Sequence, residues 1–122
     1  MKFPEPLKVA IEACLEKKGL DLLVIDLKGL ASFTDYFLIC SANSTKHSQT
    51  ISDYIVTELK KHDLLPLSIE GEDKGDWILI DYGEFIVHIF TPQTRRYYSL
   101  ESLWADAESY YIDEHGIHSQ TP

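Results

Sequence analysis

Trp77-Ile78-Leu79-Ile80-Asp81-Tyr82-Gly83-Glu84-Phe85-Ile86-Val87-His88-Ile89-Phe90 reads as two strands folded back on one another around Gly83. Alternation puts Trp77, Leu79 and Asp81 on one face of the first strand and Ile78, Ile80 and Tyr82 on the other. If one of those faces packs on helices, an aromatic anchor beside acids remains on the other, which is how a contact for a basic protein partner would look.

Working outward, residues 22–27 and 36–40 are short, almost continuous apolar runs bounded by Gly, Ser, Thr and Asp. Such runs predict strands buried on both faces. After Pro66, residues 67–70 read as a further strand, followed by the polar turn of residues 71–76. Pro6 suits a first helical turn, and Leu7, Ile11, Cys14 and Leu15 recur at helical spacing, so a helix is expected over about residues 5–18 with Gly19 as a left-handed stop. Residues 41–44 offer N-caps for a second helix to about residue 62, with Ile51, Ile55 and Leu59 inward and Tyr54 beside them. Thr91-Pro92 can start a short helix to about residue 97, and Ser99 can cap another containing Leu100, Leu103 and Trp104.

The order αββαβββα predicts an α/β domain with a mixed five-stranded sheet packed with helices. A single domain over residues 1–107 is expected. Beyond Ala107 no stripe persists, so residues 108–122 read as a frayed C-terminal extension.

With 44% hydrophobic and 25% charged residues, 122 residues describe one soluble globular domain. No apolar run approaches the roughly 18 residues of a membrane span. Met1-Lys2-Phe3-Pro4-Glu5-Pro6 lacks an apolar or Arg/Ser-rich targeting character, so a cytoplasmic protein is expected. Cys14 and Cys40 are far apart in sequence, in apolar settings, and read as free core thiols. The net charge of −9 is lopsided. Residues 1–61 balance eight acids with eight Lys/Arg, whereas residues 62–122 set twelve acids against Lys74, Arg95 and Arg96. That half repels phosphate backbones and attracts basic surfaces, although solubility alone is an equally good reason for it.

Catalytic signatures are scarce. Asp113-Glu114-His115-Gly116-Ile117-His118 has ligand types but sits in a Gly-broken tail. There is no Gly-x-Ser-x-Gly elbow, P-loop or GxGxxG. Glu70-Gly71-Glu72 with Asp26, Asp35 and Asp81 leaves magnesium-dependent phosphoryl transfer as the enzyme reading worth testing, but no phosphate cradle accompanies them. His88 sits in mid-strand, better suited to a structural or interface role than to proton transfer.

Five segments in register carry a resemblance. They are residues 34–40 (Thr-Asp-Tyr-Phe-Leu-Ile-Cys) with Ser44 and His47; Glu70-Gly71; Gly75-Asp76-Trp77 through Gly83; Val87-His88-Ile89-Phe90-Thr91-Pro92; and Arg96-Tyr97-Tyr98-Ser99-Leu100-Glu101-Ser102-Leu103-Trp104-Ala105-Asp106-Ala107. Together they resemble the Iojap/ribosomal silencing factor family from about residue 5 to 107. The resemblance implies a nucleotidyltransferase-like fold without that superfamily's metal-binding carboxylates, and a protein that is not an enzyme and takes no cofactor. It implies binding to the large ribosomal subunit through ribosomal protein L14, obstruction of small-subunit docking, and lowered translation when nutrients are scarce. The contact residues it implies are Trp77, Leu79, Asp81, His88, Tyr98, Glu101 and Trp104, with Leu100 and Phe90 beside them. Nucleic acid is not expected as the main contact, and no membrane is. The lack of a transit segment resembles the bacterial form. Whether the free protein is a homodimer stays open, and the alternatives are a nucleotidyltransferase-like enzyme or nucleotide-binding protein, or a homodimeric scaffold for another basic partner.

Overall fold

Pro6 in the first turn and a buried stripe of Leu7, Ala10, Ile11 and Cys14 make α1 (Glu5–Glu16) in the computed structural model, which describes residues 3–120. Met1, Lys2, Thr121 and Pro122, read above as parts of the opening segment and the tail, lie outside the described residues. The left-handed residue after α1 is Lys18 (φ 63°), one position earlier than expected. Gly19 is needed for room instead: a Cβ there would lie 3.0 Å from the Cys14 carbonyl oxygen and 3.4 Å from Cys40 Sγ. The two thiols, both buried and free, are therefore neighbours. A hydrogen bond with Cys40, and then burial, hold the Cys14 thiol well above its ordinary pKa, so it forms little thiolate and little nucleophile.

Next come β1 (Leu20–Asp26) and β2 (Tyr36–Ser41), paired antiparallel. All six β2 residues are buried, as the continuous apolar run predicts, whereas β1 starts exposed at Leu20 and Asp21 and enters the core at Leu22, within an irregularity between Leu20 and Leu23. Ser44 caps α2 (Thr45–Lys60), its hydroxyl accepting from the His47 N–H at 3.0 Å. Ile51, Ile55 and Leu59 line its inner face, joined by Ser48 and Ser52.

Then follow β3 (Ser68–Glu70), β4 (Trp77–Asp81) and β5 (Phe85–Phe90), an antiparallel run. The turn before β4 depends on Gly71, whose φ is +80° and where a Cβ would stand 2.0 Å from the Trp77 carbonyl oxygen. In β4, Ile78 and Ile80 are fully buried while Trp77 and Leu79 stay half-exposed on the opposite face. Each buried isoleucine contributes roughly 1.5–3 kcal/mol. A one-residue slip would therefore forfeit several kcal/mol, which fixes the register.

The chain ends with α3 (Pro92–Tyr98), α4 (Leu100–Leu103), β6 (Glu108–Asp113) and β7 (Gly116–Ser119). The sheet has seven strands in the order β3-β4-β5-β2-β1-β6-β7, which corrects the expected five. It is mixed: β2 and β5 run parallel at its centre, and the other neighbouring pairs are antiparallel. Residues 108–119, expected as a frayed tail, supply the two extra strands. The physical reason is that β1 has a second edge to satisfy, and β6 fills it while sinking Tyr110 and Ile112 into the core.

The helices α1 and α2 pack over one face of the sheet with Leu22, Val24, Leu38, Ile78, Ile80, Val87 and Ile89. A smaller cluster lies on the other face. Among the described residues, no helix is long and apolar enough to cross a membrane.

A candidate protein-binding face

Among the described residues, no long helix crosses the second face of the sheet. Its buried floor is Ile25, Leu27, Phe37, Ile39, Ile86 and Phe90, with Ala107 at one side. Above that floor stand half-buried Leu23, Trp77, Leu79, Leu100 and Trp104. Strand alternation delivers Trp77 and Leu79 from β4, while α4 delivers Leu100 and the residue just past it, Trp104.

Aromatic rings organise the surface. Trp77 stacks on Phe90 at 5.0 Å between centroids and meets Tyr98 at 4.6 Å. Phe37 takes Trp104 edge-on at 6.2 Å, and Phe33 lies against both, 6.1 Å from Phe37 and 6.3 Å from Trp104. Tyr98 is half exposed and Phe33 slightly more so. Exposed rings over an apolar floor are costly in water and gain much when a partner covers them.

Of the sequence-predicted contact residues, Trp77, Leu79, Leu100, Trp104 and Tyr98 come together on this face. His88 and Phe90 do not reach its surface. They are 3% and 0% exposed, because β5 lies between β4 and β2 and its side chains are roofed by neighbours such as Trp77. Both belong to the support, which corrects their expected role as direct contacts. Asp81 lies at the end of β4, where one carboxylate oxygen accepts the Gly83 N–H at 2.7 Å and shapes the hairpin turn. Phe33 is the residue that sequence reasoning missed. It sits in the β1–β2 loop, outside any periodic stripe, and its only signal was an apolar ring among Gly, Ser and Thr.

His88 has an unusual setting. Its Nδ1 accepts the Trp77 indole N–H at 3.2 Å, while Nε2 is buried with no hydrogen-bond partner among the described residues. Burial pushes its pKa down from 6.5 to about 4, so the ring is neutral at pH 7. Glu101 is also committed within the chain. Its Oε2 accepts from Arg95 Nε at 3.0 Å, and the same guanidinium donates to the Asp21 carbonyl at 2.8 Å and to Ser41 Oγ at 2.9 Å. This clasp ties α3 and α4 to the strand ends. Exposed or half-exposed acids flank the face along the chain: Asp76, Asp81, Glu84 and Asp106.

No group of three or more His, Cys, Asp or Glu stands together as a metal site among the described residues. An open cavity of about 800 Å³ lies beside the start of α2, lined by Asn43, Ser44, Thr45, Asp76, Arg96 and Tyr97 among others.

The whole of residues 1–122 matches the family model described as "Ribosomal silencing factor during starvation". The chain is similar to Ribosomal silencing factor RsfS of Bacillus subtilis, 41% identical over 101 residues, covering 83% of this chain and 86% of that one. It is also similar to the mouse protein named Mitochondrial assembly of ribosomal large subunit protein 1, 36% identical over 92 residues, covering 73% of this chain and 40% of the mouse one. A crystal structure from Chromobacterium violaceum superposes with a TM-score of 0.82 at 30% identity, covering 86% of this chain and 88% of that one.

Proposed function

The chain belongs to the ribosomal silencing factor family, and from that membership we propose that it binds the large ribosomal subunit through ribosomal protein L14, blocks association with the small subunit and so represses translation. The observation that carries this reading is the uncovered sheet face, where half-buried Trp77, Leu79, Leu100 and Trp104 meet exposed Phe33 and Tyr98. Large rings over a packed floor supply desolvation energy, and the flanking acids favour a basic protein over a phosphate backbone. The name of the mouse relative, which concerns assembly of the large ribosomal subunit, points the same way.

On this reading the protein is a cytoplasmic regulator and not an enzyme, because action by binding needs no nucleophile, cofactor or metal. The same face, uncovered in a single chain, is also the surface through which two free copies would pair. Co-sedimentation of the purified protein with separated subunits, without nucleotide, is the test. It is expected to travel with the large subunit and not the small one. Equal sedimentation with both, or with neither, overturns the reading.

A further inference from the structure

We propose that the β6–β7 hairpin is a second contact arm, one that receives a lysine- and arginine-rich stretch of the protein partner. The inference rests on the binding reading above and extends it across the sheet. Strand register carries the open face to the hairpin: Leu79 pairs with His88, His88 with Ile39, Ile39 with Leu23, Leu23 with Tyr111 and Tyr111 with His118. One row of side chains thus runs from β4 to β7 on a single face.

The far end of that row is ordered by its own contacts. The rings of Tyr111 and His118 lie 6.4 Å apart. Asp113 Oδ1 accepts the His115 backbone N–H at 2.8 Å and meets His118 Nε2 at 3.0 Å. The bond to His118, and then the one from the His115 backbone, hold the Asp113 pKa below its ordinary value and keep the carboxylate charged. Asp106 and Glu114 are exposed close by along the chain, and residues 97–122 contain no Lys or Arg, although Lys18 lines a cavity with Tyr111, Asp113 and Glu114.

That composition selects the occupant. A phosphate backbone would be repelled by the hairpin. A second copy docked hairpin to hairpin about a two-fold axis would set the same acids against each other. A cationic polypeptide segment gains from Asp106, Asp113 and Glu114 and can stack on Tyr111.

The test uses the full-length protein with exposed substitutions that leave the core intact. One variant carries Asp106→Lys with Glu114→Lys, a second carries His118→Ala, and Trp77→Ala reports on the aromatic face. Binding to purified large subunits is measured at low and high salt, beside the thermal midpoint and self-association. The charge-reversed variant is expected to bind about ten-fold more weakly at low salt, with a smaller loss at high salt and an unchanged midpoint. His118→Ala should weaken binding at both salts. If both hairpin variants bind like the parent while Trp77→Ala does not, the hairpin proposal fails and the aromatic-face reading stands. If Trp77→Ala also binds like the parent, that reading fails too. Tighter binding on charge reversal would mean that RNA faces the hairpin, and altered self-association with unaltered subunit binding would mean a second copy; either result overturns the proposal.

Discussion

The indole N–H of Trp77 reaches diagonally across the β4–β5 ladder to Nδ1 of His88, a bond of 3.2 Å, while Trp77 itself pairs with Phe90 and His88 with Leu79. An indole nitrogen only donates, so Nδ1 carries no proton and the imidazole hydrogen sits on Nε2. The bond therefore reads the protonation state of a buried ring and fixes the orientation of the Trp77 indole on the open face. Protonating His88 would destroy both the acceptor and its apolar accommodation.

Stability should accordingly fall with acid through this residue. The folded pKa of about 4 lies below the ordinary 6.5, so between those values the unfolded chain binds more protons. The contribution is fully present above pH 6.5 and is lost as pH falls toward 4, on the order of 3 kcal/mol in all. Denaturant midpoints at pH 7 and 4.5 for the parent and His88→Gln should show the steeper loss in the parent. Identical slopes would mean that His88 already titrates normally.

Trp77→Ala should cost about 2 kcal/mol of stability, less than for a fully buried Trp because the ring is half-exposed, and leave a folded protein. Large-subunit binding should weaken by roughly 2 kcal/mol or more, as for a central anchor. Melting curves and subunit binding on the same sample separate the two effects. A variant that no longer folds, or one that binds like the parent, removes Trp77 from the contact surface.

Glu101→Lys should lower stability by roughly 1.5–3 kcal/mol, because it breaks a charged hydrogen bond and faces Arg95 with a like charge. Its effect on binding is therefore indirect, through α3 and α4. The exchanged pair Arg95→Glu with Glu101→Arg, compared in a double-mutant cycle, should recover part of the stability and of the binding. Recovery of stability without recovery of binding would make Glu101 a direct contact instead.

Magnesium with nucleoside triphosphates should leave the melting temperature where it is. A ligand at 100 times its dissociation constant would add about 2.7 kcal/mol, an easily read shift. Such a shift would favour a nucleotide-binding protein and draw attention to the cavity of Ser44, Thr45 and Arg96.

Local patterning explains which parts were legible. The hairpin was, because Ile78 and Ile80 alternate with Trp77 and Leu79, and β2 was, because its apolar run is unbroken. The strand β6 was not: only Tyr110 and Ile112 point into the core, and Tyr111 between them is also aromatic, so alternation is blurred. The depth of His88 and Phe90 was equally hidden, since it depends on which strand lies beside β5 and not on β5 itself. For Phe33, a lone ring in a loop, position follows from tertiary contact with Phe37 and Trp104.

The place of β1 between β2 and β6 has a consequence for how the chain is made. Its partner on one side follows after a nine-residue loop, but the other is more than eighty residues downstream. A growing polypeptide must therefore hold residues 22–26 with an unpaired edge until residues 108–112 have been synthesised. That gives the topology a high contact order and a late, entropically costly closing step. A chain terminated at Ala107 would never take that step, and its bare strand would be free to recruit the same strand of another molecule.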